Sequence, residues 1–144
     1  MDITGLISVE TWTGHAYAMV VIEASCCFGV GRLLVKKEEV ASTLKDVVTM
    51  LERQSGLKLK KMCSDNGTEF VNSIVESFCQ QNGILHEMTV PYAPEQNRIA
   101  KRSIKTYFKM VRCMLHSAKM DLRYWGVAFM YVVHICNLSP MSAL

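Results

Sequence analysis

The octet Cys63-Ser64-Asp65-Asn66-Gly67-Thr68-Glu69-Phe70 holds residues whose types and order suit chemistry at an acidic centre. Asp65 is a hard oxygen donor, and a magnesium-like cation takes one or two carboxylates, with waters and phosphate oxygens completing its shell. Asp65-Asn66-Gly67 is also turn chemistry, because Asn and Gly tolerate positive φ. On these residues alone, a carboxylate that merely caps a turn remains an open reading.

The flanking patterns decide what would position Asp65. Upstream, Leu57-Lys58-Leu59-Lys60 alternates apolar and basic, the period of a strand with one buried face. Downstream, Phe70, Val71, Ile74, Val75 and Phe78 recur at helical spacing. Asp65 therefore falls where a strand opens into a loop before a helix. In open α/β sheets, ligands gather outside the carboxyl ends of strands.

A second segment follows, Pro91-Tyr92-Ala93-Pro94-Glu95-Gln96-Asn97-Arg98-Ile99-Ala100-Lys101-Arg102. At this spacing, the two segments resemble the integrase catalytic core of copia-type retrotransposons, within the retroviral integrase superfamily. The resemblance runs from Asp2 to Cys136-Asn137-Leu138-Ser139-Pro140. It implies a ribonuclease-H-like α/β fold, a mixed central sheet flanked by helices, as one domain over residues 1–144. It also implies an Asp, Asp, Glu (DDE) triad whose last two members have thirty-five residues between them. Asp2 matches the first acid and Asp65 the second. With thirty-five residues between it and Asp65, position 101 is lysine where the family pattern has glutamate.

Integrase-like enzymes cut and join phosphodiester bonds with two metal ions, one at the attacking and one at the leaving oxygen. The resemblance thus implies magnesium or manganese, held at Asp2 and Asp65. Three carboxylates give such a site a formal charge of about −3, whereas Asp2, Asp65 and Lys101 total about −1. Two-metal catalysis is expected to fail, with Lys101 serving as a built-in counter-ion to the two aspartates. Glu95 and Glu69 are the nearby spare acids. The first strand has little chain before its aspartate, and termini fray unless tied down, so Asp2 is expected to be loosely held.

Along the chain, Thr11–Gly14 reads as a turn, and His15–Ile22 and Phe28–Val35 as a strand hairpin around Glu23-Ala24-Ser25-Cys26-Cys27. These strands, with those carrying Asp2 and Asp65, are expected to form one mixed sheet. Val40, Leu44, Val47, Val48 and Leu51 make a one-sided helix ending near Ser55-Gly56. The helix after Asp65 should stop at Asn82-Gly83, before an extended Ile84-Leu85-His86. The resemblance implies that the loop between Pro91 and Pro94 is mobile and flanks the site.

The helix from about Gln96 to Lys119 carries the strongest charge pattern. At ~100° per residue, Arg98, Lys101, Arg102, Lys105, Lys109, Arg112 and Lys119 share an arc of roughly 100°. Ala100, Ile104, Phe108, Val111, Leu115 and Ala118 lie opposite. No acid occurs between Glu95 and Asp121. A solvated face normally mixes both signs, because opposite charges four residues apart stabilise a helix. A single-sign face points to an anionic partner, nucleic acid. The resemblance names DNA, both retroelement ends and target. The last helix, Asp121–Leu138, is rich in aromatic residues that read as core, with part of it open to a homodimer contact. His134 reads as packed, and His15, His86 and His116 show no spacing that suggests a site.

The chain has 144 residues, half of them hydrophobic and 20% charged, with a net charge of +3. That composition suits a globular domain rather than a disordered one. No apolar run reaches the roughly 18 residues of a membrane span, so no membrane partner is expected. Six cysteines without CxxC spacing read as reduced, mostly buried thiols of an intracellular protein; the resemblance adds a nuclear location. The zinc-binding and carboxy-terminal DNA-binding regions of full integrases have no match in these residues, so DNA binding is expected to be weak and salt-sensitive. The leading expectation is a retroelement integrase core that binds nucleic acid and is catalytically crippled. A co-opted non-enzymatic module, and an active transferase with another third ligand, are the alternatives.

Overall fold

The computed structural model describes residues 1–89 and 97–139. Its strands are β1 (Asp2–Ile3), β2 (Tyr17–Ile22), β3 (Gly29–Leu34), β4 (Lys61–Ser64) and β5 (Leu85–Met88). Its helices are α1 (Val40–Ser55), α2 (Ser73–Asn82), α3 (Arg98–Ala118) and α4 (Trp125–Leu138), with short 3-10 turns before α1 and α4. The architecture is a mixed α/β ribonuclease-H-like fold.

In place of the single mixed sheet expected from the sequence, the described strands form two sheets, because β1 and β4 do not pair. β1, β2 and β3 pair antiparallel in that order, and β4 pairs with β5 in parallel. Across the seam the Met1 nitrogen donates to the Cys63 carbonyl at 2.9 Å.

Both faces of β2 are buried, as its unbroken apolar run requires. Met19 joins Leu34, Val40, Leu44, Val47, Phe70 and Val75 in the core beneath α1 and α2. Its neighbours Ala18 and Val20 point the other way, against Tyr107, Val111, Trp125, Phe129 and Val132 of α3 and α4. The sheet thus sits between two helical layers. At Gly31 the β3 backbone lies close against α4: a Cβ there would stand 2.9 Å from Phe129 and 3.1 Å from Val133. Gly31→Ala is therefore expected to destabilise the domain by roughly 1–3 kcal/mol through overpacking, read as a lowered midpoint in urea.

Helix ends follow the sequence signals. Gly56 and Gly83 take left-handed conformations after α1 and α2. Asn72 caps α2 by accepting from the nitrogens of Ile74 and Val75, so Phe70 and Val71 lie in the turn before the helix rather than in it. The strand before Asp65 also lies later than the Leu57–Lys60 alternation suggests. Glu52 explains this: its carboxylate accepts from the Leu59 nitrogen at 2.8 Å and from Lys58 at 2.7 Å. That carboxylate ties the segment to the end of α1, and pairing with β5 begins only at Lys61.

The β2–β3 turn is organised by Glu23. Its carboxylate accepts from the Ser25 nitrogen and hydroxyl and from the Cys26 nitrogen. The Cys26 thiol above all, then the Ser25 hydroxyl and the backbone bonds, lower its pKa to about 2. A carboxyl depressed in the fold contributes order that is present above its unfolded pKa and lost as pH falls through the folded value. The turn is expected to loosen between about pH 4.5 and 2, seen as shifts of the Ser25 and Cys26 amides while the ladder amides hold.

The cysteines are less buried than expected. Among them only Cys79 is buried, while Cys26 and Cys113 are exposed and all six are free. Cys26 sits in the hairpin turn, and Cys113 falls on the outer face of α3. His134 is exposed as well, because the buried stripe of α4 runs through Trp125, Phe129, Val132 and Val133. Val127, Tyr131 and Leu138 share its open side at 71%, 53% and 69% exposure. No described helix is long and apolar enough to cross a membrane.

Candidate active site

Asp2 lies in β1 opposite Val20 and is buried, with 8% of its surface exposed. The expectation of a loosely held Asp2 is overturned. The β2 ladder holds one side of the strand, and the bond from Met1 to Cys63 holds the other. Asp65 is the first residue past β4. Its Oδ1 accepts from the Gly67 nitrogen at 3.1 Å, so the carboxylate does cap its turn, as the simpler reading had it. Oδ2 has no hydrogen bond to a described residue, which leaves an oxygen for another task.

Burial raises the Asp2 pKa, and the negative charge of Asp65 raises it further. The backbone bond at Ile3 and the positive charge of Lys101 act in the opposite direction. The two aspartates and Lys101 therefore share one electrostatic site, brought together by three elements distant in sequence. Lys101 stands in the first turn of α3, its nitrogen bonded to the Asn97 carbonyl at 3.2 Å, and its side chain is exposed.

Among the described residues, no third carboxylate joins them. Among the described residues, no cluster of three His, Cys, Asp or Glu could hold a metal. Glu69 is committed elsewhere, paired with Lys37 at 3.3 Å. Its carboxylate lies so close to Gly67 that a Cβ there would meet it at 2.8 Å. Glu95 and the loop between Pro91 and Pro94 lie outside the described residues. The buried polar orphan beside the site is Asn97 Nδ2, an N–H donor, which suits an anionic oxygen rather than a cation. Among the described residues, the carboxylates whose charges meet at this site are those of Asp2 and Asp65.

The basic residues do occupy one open face. Arg98, Lys101, Arg102, Lys105, Lys109, Arg112 and Lys119 are all exposed, and none is in a described ion pair. Ala100, Tyr107, Val111 and Leu115 bury the opposite side. Of the expected apolar positions, Ala118 is exposed, because it falls in the last turn beyond the core.

Comparison with known proteins settles the family. The model described as "Integrase core domain" matches residues 1–94. The chain belongs to the integrase core domain family. It is 33% identical over 143 residues to the retrovirus-related Pol polyprotein from transposon TNT 1-94 of Nicotiana tabacum, covering 99% of this chain and 11% of that protein. It is 29% identical over 111 residues to the Pol polyprotein from transposon RE2 of Arabidopsis thaliana, covering 77% and 8%. The integrase core thus spans a small part of these curated relatives. Its fold matches a chain of the simian T-cell lymphotropic virus intasome in complex with PP2A regulatory subunit B56 gamma. The TM-score there is 0.72 at 13% identity, covering 99% of this chain and 50% of that one.

Two residues that matter around Asp65 were not legible beforehand. Asn97 reads as one polar residue among several in its segment. His86, set aside for want of spacing, bonds Ser64 at 2.7 Å. Pairing of β4 with β5 brings them together, and no linear motif encodes that.

Proposed function

We propose that this integrase core comes from a copia-type retroelement, keeps a nucleic-acid-binding face on α3, and is silenced as a polynucleotidyl transferase by Lys101. Its family membership makes divalent-metal chemistry the ancestral activity, with magnesium or manganese as the cofactor. What supports the reading is the place of Lys101, in the first turn of α3 at the position where the family pattern has glutamate. A cation at the third position repels the dications that a third carboxylate would attract. The proposed partner is DNA, met by the exposed cations of α3, and the place of action is the nucleus. The exposed Val127, Tyr131 and Leu138 of α4 are open to a second copy of the chain.

The alternative of an active enzyme with another third ligand loses support at Glu69, which Lys37 already neutralises. The deciding experiment is magnesium- or manganese-dependent nicking and strand transfer on a labelled duplex, with Lys101→Glu run alongside. No activity in the unmodified protein, and activity in the glutamate form, is the expected result. Activity in the unmodified protein would overturn the reading. Salt-dependent DNA binding without activity in either form would leave a binding module.

A further inference from the structure

β4 ends in a buried hydroxyl with more to do than pack. Ser64 has no exposed surface, and its hydroxyl donates to the Asp65 carbonyl at 3.0 Å. The same oxygen lies 2.7 Å from His86 Nε2 on the neighbouring strand. A serine beside a histidine invites comparison with a nucleophile and its base. Burial excludes that role here, since nothing outside can reach the oxygen, and its proton is already given to a carbonyl.

Counting hydrogens gives the role instead. A serine hydroxyl has one hydrogen and two lone pairs. With that hydrogen on the Asp65 carbonyl, Ser64 Oγ can only accept from His86, so Nε2 must carry a proton. Burial also lowers the His86 pKa, which favours the neutral ring. The neutral Nε2–H tautomer completes a chain from the imidazole through the hydroxyl to the Asp65 carbonyl. The other side of Ser64 is clamped too: its own carbonyl accepts from the Thr89 nitrogen at 3.0 Å and the Thr89 hydroxyl at 2.9 Å.

We propose that His86 is the positioning residue for Asp65, fixing through Ser64 the peptide from which the Asp65 carboxylate leaves the end of β4. The proposal deepens the reading of Asp65 as a site carboxylate and rests on it. Because the peptide plane at Asp65 sets where its side chain points, releasing that carbonyl would also release the carboxylate from the Gly67 nitrogen.

The test needs neither metal nor DNA, so its failure is separate from failure of the nicking assay. Long-range proton–nitrogen NMR of the unmodified protein reads the ring directly, and Nε2–H is expected. Amide hydrogen exchange then follows Gly67, with the β2–β3 ladder as internal control. His86→Ala is expected to speed Gly67 exchange by roughly three- to tenfold, the range of one net hydrogen bond, with the ladder unchanged. His86→Gln, which supplies a side-chain N–H, is expected to restore it. A proton on Nδ1 alone, unchanged Gly67 exchange in His86→Ala, or no rescue by glutamine would each overturn the proposal. Should His86→Ala fail to fold, the tautomer and the glutamine form still decide.

Discussion

Lys101→Glu is expected to turn a site that repels dications into one that binds them. Unit charges about 4 Å apart interact by roughly 4 kcal/mol at an effective dielectric of 20. Exchanging an ammonium for a carboxylate counts that interaction twice before the side chain relaxes. Lys101 is exposed and can swing outward, so the realised gain is expected at the lower end, about 2–4 kcal/mol, or roughly thirtyfold to a thousandfold in metal affinity. Calorimetric titration with magnesium would show it, and chelation with EDTA should reverse it. Equal heats from the two proteins would sink the counter-ion assignment.

The same substitution has a second readout in acid. Asp2 already has a raised pKa, from burial first and Asp65 second. A carboxyl raised in the fold holds its proton longer there than in the unfolded chain. Its penalty is therefore absent at low pH and appears as pH rises from 3.8 through the raised value. Removing the cation that pulls this pKa down should widen the window, making metal-free Lys101→Glu less stable at neutral pH than the unmodified protein. Magnesium should recover the lost stability. A melting temperature indifferent to both pH and magnesium would place Lys101 too far from Asp2 to matter.

The second large effect is expected on α3. Replacing Lys105, Lys109 and Arg112 with glutamine removes three exposed cations from a face without acids. If each neutralises a phosphate, the slope of log affinity against log salt should fall by about 2.7 on duplex DNA, close to 0.9 per contact. The fold should not suffer. Like charges four residues apart cost about 0.2–0.5 kcal/mol per pair, so the triple variant is expected to melt at or slightly above the unmodified temperature. An unchanged salt slope would identify the stripe as a solvated surface.

Local chemistry was legible along the chain. The one-sided stripe of α1, the Gly56 and Gly83 stops and the basic arc of α3 each depend on neighbours within a turn or two, where periodicity and glycine conformation dominate. The spacing of Asp65 and Lys101 and the match at Asp2 were also visible, and they led to the integrase core family. Strand limits were less so. The alternation of Leu57–Lys60 was overridden by one carboxylate, Glu52, seven residues from the nitrogen it holds at Leu59. No pattern of period two records such a bond.

The sequence by itself determined which residues carry charge and how far apart they fall: two aspartates, a lysine at the third position and seven cations on one arc. Tertiary structure alone decided what those residues do to one another. It buried Asp2 against β2, raised its pKa beside Asp65, gave Glu69 to Lys37, and set His86 against Ser64 across paired strands. The physical reason is distance. Coulomb and hydrogen-bond terms depend on separation in space and on exclusion of water, and neither quantity exists until β1, β4, β5 and α3 have come together.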